Sequence, residues 1–509
     1  MEKTKPKLLT LIFPTFGNLI WTITFFWVLL LGRKMMNGDG DLPFHLTLGH
    51  RILDQGSVPK VDAFSHTMTG QPVIEHEWLS GVIFAAIESA FGLQGVILLC
   101  ALVIASAFWL VYRWTRSNNR TMLISTFVAL LAIFSSIVHW LARPHVFTFL
   151  ILTLWMFILD RLRQGNTNAW WALPVIMLLW TNLHGVFLIG FVTWFIFGLG
   201  VGWDEIFNKK DQESQSLPDH FWQNYLLGGI TAFLASLINP YGFGLYKMIV
   251  SHVGNDFLTD NTIEFMSPNF HDYVFWPALI FIALLIISLG LNKTRMSAAH
   301  LFNSAAWLLF GLYSARNMPL FAMVSAPLLA RSLDDLLCGA AKNSKILKNF
   351  NKINDRLQMV DKELKGYLLP ILAILIAFLG LAAGLHFDFK GEGYGFSPEK
   401  FPVEAVNWLE DHPQEGEMLN DFDWGGYLQY RLWPEKRVYI DSKSHFYGEE
   451  FVQEYLKIVN AEEGWQALLE PYGVSWALLP PDARVVDALQ SELGWRIIYE
   501  DDTAVILRK

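Results

Sequence analysis

The sequence predicts a polytopic α-helical membrane protein that ends in a small α/β domain outside the bilayer. Three observations carry that prediction. Hydrophobic residues make up 53% of the 509 positions and charged residues only 17%, where a soluble domain is about a quarter charged. The apolar residues fall into many runs of about twenty, the length that crosses a ~30 Å hydrocarbon core as a helix. After residue 385 the apolar runs shrink to strand length and alternate with helical stretches.

Lys3, Lys5 and Lys7 precede the first apolar run, and the bias of Lys and Arg toward short cytoplasmic loops puts the N-terminus inside. No small-residue cleavage site follows, and Arg33 and Lys34 close the run, so it reads as a retained helix over about 11–32 rather than a signal peptide. That delivers the loop 33–93 to the outer face. Within it, 41–56 reads as a surface helix with Leu42, His45, Leu48, Gly49 and Ile52 on one stripe, and 77–92 as a second. If only 94–113 then spans, the loop with Arg113, Arg116 and Arg120 lies inside and every later loop agrees with the charge bias.

Spans follow at about 121–141 and 146–163, joined outside by Ala142-Arg143-Pro144-His145, and at 170–181 and 185–203, joined by Asn182-Leu183-His184-Gly185. A cytoplasmic loop holds Lys209 and Lys210. Helix 221–238 rises to Asn239-Pro240-Tyr241-Gly242 and a long outer loop with Glu264. Helices at 273–291, 297–315, 318–333 and 367–385 complete about eleven spans, with Arg316 at an outer turn and a basic cytoplasmic linker at 338–366 that holds Lys342, Lys345, Lys348, Lys352 and Arg356. The division is thus a transmembrane domain over 1–385 and an extracytoplasmic α/β domain over 386–509. In the latter, strands are expected at 438–440, 476–479, 496–499 and 504–507, with helices at 447–459, 462–470 and 484–493. This domain holds 24 acidic against 11 basic residues, which excludes nucleic acid as a partner. Cys100 and Cys338 lie in unlike surroundings and suggest neither a disulfide nor a metal site.

The stretch Asn37–His66 concentrates the chemistry. Asp39 and Asp41 stand one residue apart at the membrane edge, where repulsion and desolvation disfavour the pair unless a cation or a proton shares it. Capping of the helix that starts near Leu42 is the plain reading for one of the two. His45 lies one turn on, and Glu75, His76 and Glu77 open the second surface helix, either as a cap or as the lining of a polar cleft. Arg143, His145, Asn182, His184 and Arg316 sit at outer helix ends. Snorkelling or bundle hydrogen bonds would explain each alone, but arginines at that face oppose the charge bias and suit an anionic lipid headgroup.

The first outer loop, Asp41 with its amphipathic helix, Gly56-Ser57-Val58-Pro59 and Asp62-Ala63-Phe64-Ser65, resembles that of the GT-C-fold integral-membrane glycosyltransferases, among them oligosaccharyltransferase catalytic subunits, protein O-mannosyltransferases and lipid A aminoarabinose transferases. Asp423-Trp424-Gly425-Gly426-Tyr427 resembles a distant form of the Trp-Trp-Asp-Tyr-Gly region of oligosaccharyltransferases. The sequence is also similar to bacterial multi-pass proteins that carry the same ARPH, NLHG, NPYG and WGGYL signatures. The resemblance implies an enzyme of the cell membrane that moves a sugar from a polyprenyl-phosphate donor to a glycan, lipid or protein acceptor at the outer face. Asp41, and with it Asp39, maps onto the first-loop Asp that serves that family as general base or metal ligand. Arg143, His145, Asn182, His184, Arg316, Glu75, His76, Glu77, Glu264, Asp423 and Trp424 are the expected substrate contacts. Where Mg or Mn is used, Asp39, Asp41 and His45 would ligate it; the second outer loop lacks the acid those relatives carry, which favours a metal-independent site. The alternative is a non-catalytic membrane component of an envelope-polysaccharide assembly. Gly425-Gly426 reads as a tight turn before a strand, YLQYRLW.

Overall fold

The computed structural model describes residue 10 and residues 12–119, 121–207, 217–253, 265–341 and 344–509. Lys3, Lys5, Lys7, Arg120, Lys209, Lys210, Glu264 and Lys342 lie outside the described residues.

Helix α1 (Phe16–Met36) leads through a four-residue turn into the amphipathic α2 (Asp41–Gln55). All five stripe residues of α2 are buried. The helix stops at Gly56, whose left-handed φ of 65° lets its N–H return to the Ile52 carbonyl. The two segments expected at 77–92 and 94–113 form α3 (Trp78–Ser117), broken at Gly92, where φ is 70° and ψ −174°. Gly49 of α2 faces the Gly81 backbone of α3 with no room for a side chain, so the two helices cross in backbone contact.

The bundle continues with α4 (Met122–Ser136), α5 (His145–Arg163), α6 (Ala172–Leu183), α7 (Leu188–Phe207) and α8 (Phe221–Ser236). It then adds α9 (Phe243–Val253), α10 (Trp276–Leu291), α11 (Ala298–Tyr313), α12 (Met318–Ala341), α13 (Lys345–Glu363) and α14 (Leu368–Ala382). Neither α9, which follows α8, nor α13, in the basic linker, is expected from the sequence, and α12 runs eight residues past the expected end at 333. Among the described residues, six helices have the length and hydropathy to cross a membrane, or seven if α13 and α14 count as one bent span. A continuous core of Phe25, Leu29, Ile104, Phe108, Trp155, Trp180, Phe321 and Leu329 fills the bundle.

The C-terminal body is a four-stranded sheet in the order β1-β2-β4-β3, with β1 Glu417–Asn420, β2 Val474–Leu479, β3 Arg496–Glu500 and β4 Val505–Arg508. β1 and β2 are parallel, and the other two pairings are antiparallel. Alternation along the strands fills both faces: Leu419, Ala477, Leu479 and Leu507 pack on one side, and Met418, Trp476, Leu478 and Ile506 on the other. The helices are α15 (Val403–Asp411), α16 (Gly425–Leu432), α17 (Ser444–Val459), α18 (Trp465–Leu469) and α19 (Arg484–Ser491).

Two strand expectations are corrected. The stretch 425–432 is helix α16, and 438–440 is no strand of the sheet; Val438 forms a single parallel bridge with Ser65 of the first outer loop. Both departures share a cause, since each segment takes its partner from that loop rather than from the sheet. Gly426 lies on the Gly40 carbonyl oxygen, and Gly40 in turn lies on the Asp423 carbonyl oxygen. A side chain at either glycine would part α16 from the start of α2. Close backbone approach, not a positive φ, is what the double glycine provides.

Candidate functional site

The site forms where α1, α2, α3, α5 and the C-terminal body converge. Asn37 ends α1 and is pinned from the far side, its amide donating to the Gly395 carbonyl at 3.0 Å and its oxygen accepting the Ser397 N–H at 2.7 Å. The Ala142 N–H donates to the Met35 carbonyl at 3.1 Å, which holds the turn before α5 against the end of α1. These two ties set Arg143 opposite the acidic pair. Its Nη1 lies 3.0 Å from Asp39 Oδ2 and its Nη2 2.5 Å from Asp41 Oδ2, so the planar guanidinium is the cation the pair requires. Asp39 also accepts the Asp41 N–H at 3.1 Å while facing Arg143, and Gly40, not an acid, is the N-cap of α2. Burial works to raise the Asp41 pKa, but Arg143, His45, a hydrogen bond from Ser442 and the charge of Arg316 outweigh it and hold it below the ordinary carboxylate value.

A second carboxylate lies beside the first. Glu77 precedes α3, and three imidazoles surround it: His184 Nε2 at 3.2 Å and His76 Nε2 at 3.6 Å on Oε1, His45 Nε2 at 3.4 Å on Oε2. Trp180 Nε1 donates to Thr148 Oγ1 at 2.9 Å, and Thr148 Oγ1 lies 2.8 Å from His184 Nδ1. If Thr148 donates onward to Nδ1, the neutral ring carries its proton on Nε2, the nitrogen 3.2 Å from Glu77. Burial is the main cause that pushes the Glu77 pKa up, and it pushes those of His45 and His76 down. His45 Nδ1 is buried without a hydrogen-bond partner. Two neighbouring carboxylates thus have opposite proton affinities, Asp41 the lower and Glu77 the higher.

The C-terminal body enters the site through Asp441-Ser442-Lys443. Asp441 is fixed by Gln429 at 2.6 Å and by the Lys443 N–H at 2.9 Å. Lys443 Nζ is buried 3.4 Å from Glu75 and 3.7 Å from Asp441, and 4.3 Å above the Phe44 ring of α2. Burial would discharge it, yet the two carboxylates outweigh burial and raise its pKa. Glu75 is pushed up by burial although Lys443 opposes that. Ser442, Lys443, Thr148 and His139 all escape the sequence reading, because each is an ordinary residue until its distant partner is known. His139 left a trace: it lies six residues before His145, and the two rings meet at a tilt of 37° with centroids 4.4 Å apart.

Other expected contacts do different work. Asn182 accepts Trp78 Nε1 at 3.0 Å and donates to the Leu178 and Ile238 carbonyls at 2.9 and 3.0 Å, which pins α3, α6 and the end of α8 together. Its bonding capacity is spent there, beside an apolar cleft of about 410 Å³. His145 Nε2 donates to the His139 carbonyl, 2.9 Å away. Arg316 stacks over Phe265 at 4.7 Å and reaches Asp41 and Glu77 through its charge. Trp424 is buried with Nε1 on the Lys400 carbonyl. Asp423 lines a polar cleft of about 610 Å³ that also borders Asp39, Lys400 and Asp421. Burial and Asp423 push Asp421 up to about 6.

A divalent metal does not fit this arrangement. Asp39 and Asp41 turn to Arg143, His45 Nε2 turns to Glu77, and the turn at Arg143 supplies no acid. Among the described residues no group of three His, Cys, Asp or Glu side chains is arranged to hold a metal ion, so Asp39, Asp41 and His45 do not form the expected ligand set.

By sequence the chain matches no protein-family model and no curated protein. By structure it is similar to the oligosaccharyltransferase AglB of Archaeoglobus fulgidus in complex with an inhibitory peptide and a dolichol-phosphate, with a TM-score of 0.61 at 12% identity over 91% of this chain and 69% of that one. The same enzyme tethered to an acceptor peptide gives 0.53 at 13% over 91% and 68%. ArnT of Cupriavidus metallidurans bound to undecaprenyl phosphate gives 0.49 at 12% over 96% and 97%. The chain therefore has the GT-C fold of integral-membrane glycosyltransferases, a helical bundle with a small C-terminal α/β body.

Proposed function

We propose that this protein is a membrane glycosyltransferase that moves a sugar from a polyprenyl-phosphate-linked donor to an acceptor at the outer face of the cell membrane. The observation that carries the reading is the Arg143 fork between Asp39 and Asp41, set beside Glu77 and its three imidazoles within this fold. AglB, whose fold it shares, is known bound to dolichol-phosphate and to peptide, and a phosphate-linked lipid is the donor class that two arginines at the Asp41 end would hold.

In the transfer, an acceptor hydroxyl oxygen attacks the anomeric carbon as the bond from that carbon to the phosphate oxygen breaks. The bonding electrons leave on the phosphate, and the hydroxyl proton passes to a carboxylate. Asp41 is the base that the family resemblance assigns. Its low proton affinity suits it better to hold Arg143 in place and to face the positive charge that develops on the sugar. Glu77, with the higher proton affinity, is the better acceptor for the proton, and His184 and His45 stand beside it at 3.2 and 3.4 Å. Arg143 and Arg316 stabilise the departing phosphate.

The test uses the full chain reconstituted in bilayers with a polyprenyl-phosphate-linked sugar, and the release of polyprenyl phosphate is measured. Asp41→Asn and Glu77→Gln are expected to fold normally and to lose transfer. If both turn over as the parent does, the catalytic site lies elsewhere; if no sugar donor is consumed by the parent protein, the non-catalytic envelope component becomes the better reading.

A further inference from the structure

Helix α13 is a basic segment that the proposed chemistry does not use. It lies across the end of the bundle where α1 and α4 begin: Asp361 accepts the Phe16 N–H at 2.7 Å, and Asn354 accepts the Leu123 N–H at 3.2 Å. One face, with Phe350, Asn354 and Leu357, is turned to the bundle. Ile346, Ile353 and Val360 are not; they are 80, 53 and 56% exposed. Seven-residue spacing at 3.6 residues per turn puts these three on a single line along the helix. Lys345, Lys352 and Arg356 flank that line on the side away from the bundle. The next helix, the apolar α14, departs at 72° to α13, with Leu368, Ile371, Leu375 and Phe378 on its open surface. If the 15-residue α14 enters the membrane, this bend leaves α13 close to the membrane plane.

An exposed aliphatic line on a helix bordered by cations is what an interfacial helix presents, with apolar groups in the acyl boundary and ammonium and guanidinium groups among the headgroups. A free aqueous surface would leave the three side chains in water. We propose that α13 lies in the headgroup layer, sinks Ile346, Ile353 and Val360 into the acyl region, and binds anionic phospholipid through Lys345, Lys352 and Arg356. Because Asp361 and Asn354 tie α13 to the starts of α1 and α4, lipid held there also bears on the two helices whose far ends lead to Asp39 and to the Arg143 turn.

The experiment reconstitutes the full chain in nanodiscs of phosphatidylcholine alone or doped with phosphatidylglycerol. A spin label at Ile353→Cys, in a Cys338→Ser background, is expected to be relaxed by oxygen in the acyl region and shielded from an aqueous relaxant. A label as open to the aqueous relaxant as one at Lys457→Cys on the C-terminal body would overturn the proposal, and so would a label shielded from both agents, which would mean that a protein segment covers the line. Unlabelled protein is then delipidated mildly and its retained lipid identified. Phosphatidylglycerol is expected to be enriched, and K345Q/K352Q/R356Q to cut that enrichment at least about fivefold, while K436Q/K457Q on the C-terminal body leaves it alone. Equal enrichment in the triple variant and the parent would remove the anionic site.

Discussion

Helix α5 carries a knot of charge at each end, and the two are built differently. At its C-terminal end Asp160 is 1% exposed, and fixed donors fill both of its oxygens: His300 Nε2 at 3.1 Å and Arg163 Nε and Nη2 at 3.2 and 3.0 Å on Oδ1, with Trp114 at 3.1 Å, Asn118 at 2.7 Å and Gln164 at 3.1 Å on Oδ2. At its N-terminal end Asp39, Asp41 and Glu77 remain 23, 19 and 17% exposed; the first two pair with one guanidinium, and Glu77 stands among imidazoles. A carboxylate saturated by immobile donors holds helices together and has nothing left to offer a ligand. One that keeps access to water and stands beside titratable groups can exchange partners. The bundle is fastened at one end of α5 and left open to chemistry at the other.

Substitutions that invert this contrast test it most sharply. Glu77→Gln keeps the size and removes the proton acceptor, and it is expected to lower the transfer rate by ~10²–10⁴-fold with little change in thermal stability. With Glu77 as the proposed base, the parent rate is expected to fall as pH drops through the Glu77 pKa, because a base must be unprotonated; since burial raises that pKa, this acid limb is expected above the ordinary glutamate value, and Glu77→Gln should abolish it. A pH–rate profile of parent and variant decides the matter, and an unchanged limb assigns it to another group. Asp160→Asn should do the reverse. It turns an acceptor into a donor amid donors and is expected to cost ~3–5 kcal/mol of stability, measured as thermal unfolding in detergent, with the rate per folded molecule unchanged. A rate loss without a stability loss would break the distinction between the two ends.

The open end was half legible in the sequence, for physical reasons. Two carboxylates at a membrane edge demand a cation, so Asp39 and Asp41 draw attention at once; which cation serves is not local information, because Arg143 lies 104 residues beyond Asp39. The stripe of α2 and the break at Gly92 follow from periodicity and glycine, and both are where the pattern puts them. The stretch from Tyr427 to Leu432 is rich in residues that favour strands, yet it is helical, with Gly426 seated against Gly40 and Gly425 against the Ile440 carbonyl. Helix α13 is the instructive omission, since Ile346, Ile353 and Val360 recur at a readable interval beneath the basic residues that marked the segment as a linker.

The contact between the two bodies supplies the smaller tests. Gly426→Ala drives a methyl into the Gly40 carbonyl, which backbone cannot yield cheaply, and is expected to cost ~1–3 kcal/mol with a matching loss of activity as α16 is forced off α2. Calorimetry with a parallel rate measurement checks it, and a silent Gly426→Ala would mean that the two bodies do not meet as described.

Ser442→Ala is the mildest change and the most specific. Ser442 of the C-terminal body helps hold the Asp41 pKa down, while Arg143 still holds the same carboxylate, so one polar neighbour is lost and no buried charge is orphaned. The expected effect is about a tenfold fall in rate, equivalent to ~1.4 kcal/mol, with Ser442→Thr restoring most of it. Since Ser442 helps hold the Asp41 pKa down, its loss should also let Asp41 protonate at higher pH and shift that part of the rate profile upward. A purely structural serine would lower the unfolding temperature and leave the profile where it was, and in that case the C-terminal body contributes packing to the open end of α5 but no group to its chemistry.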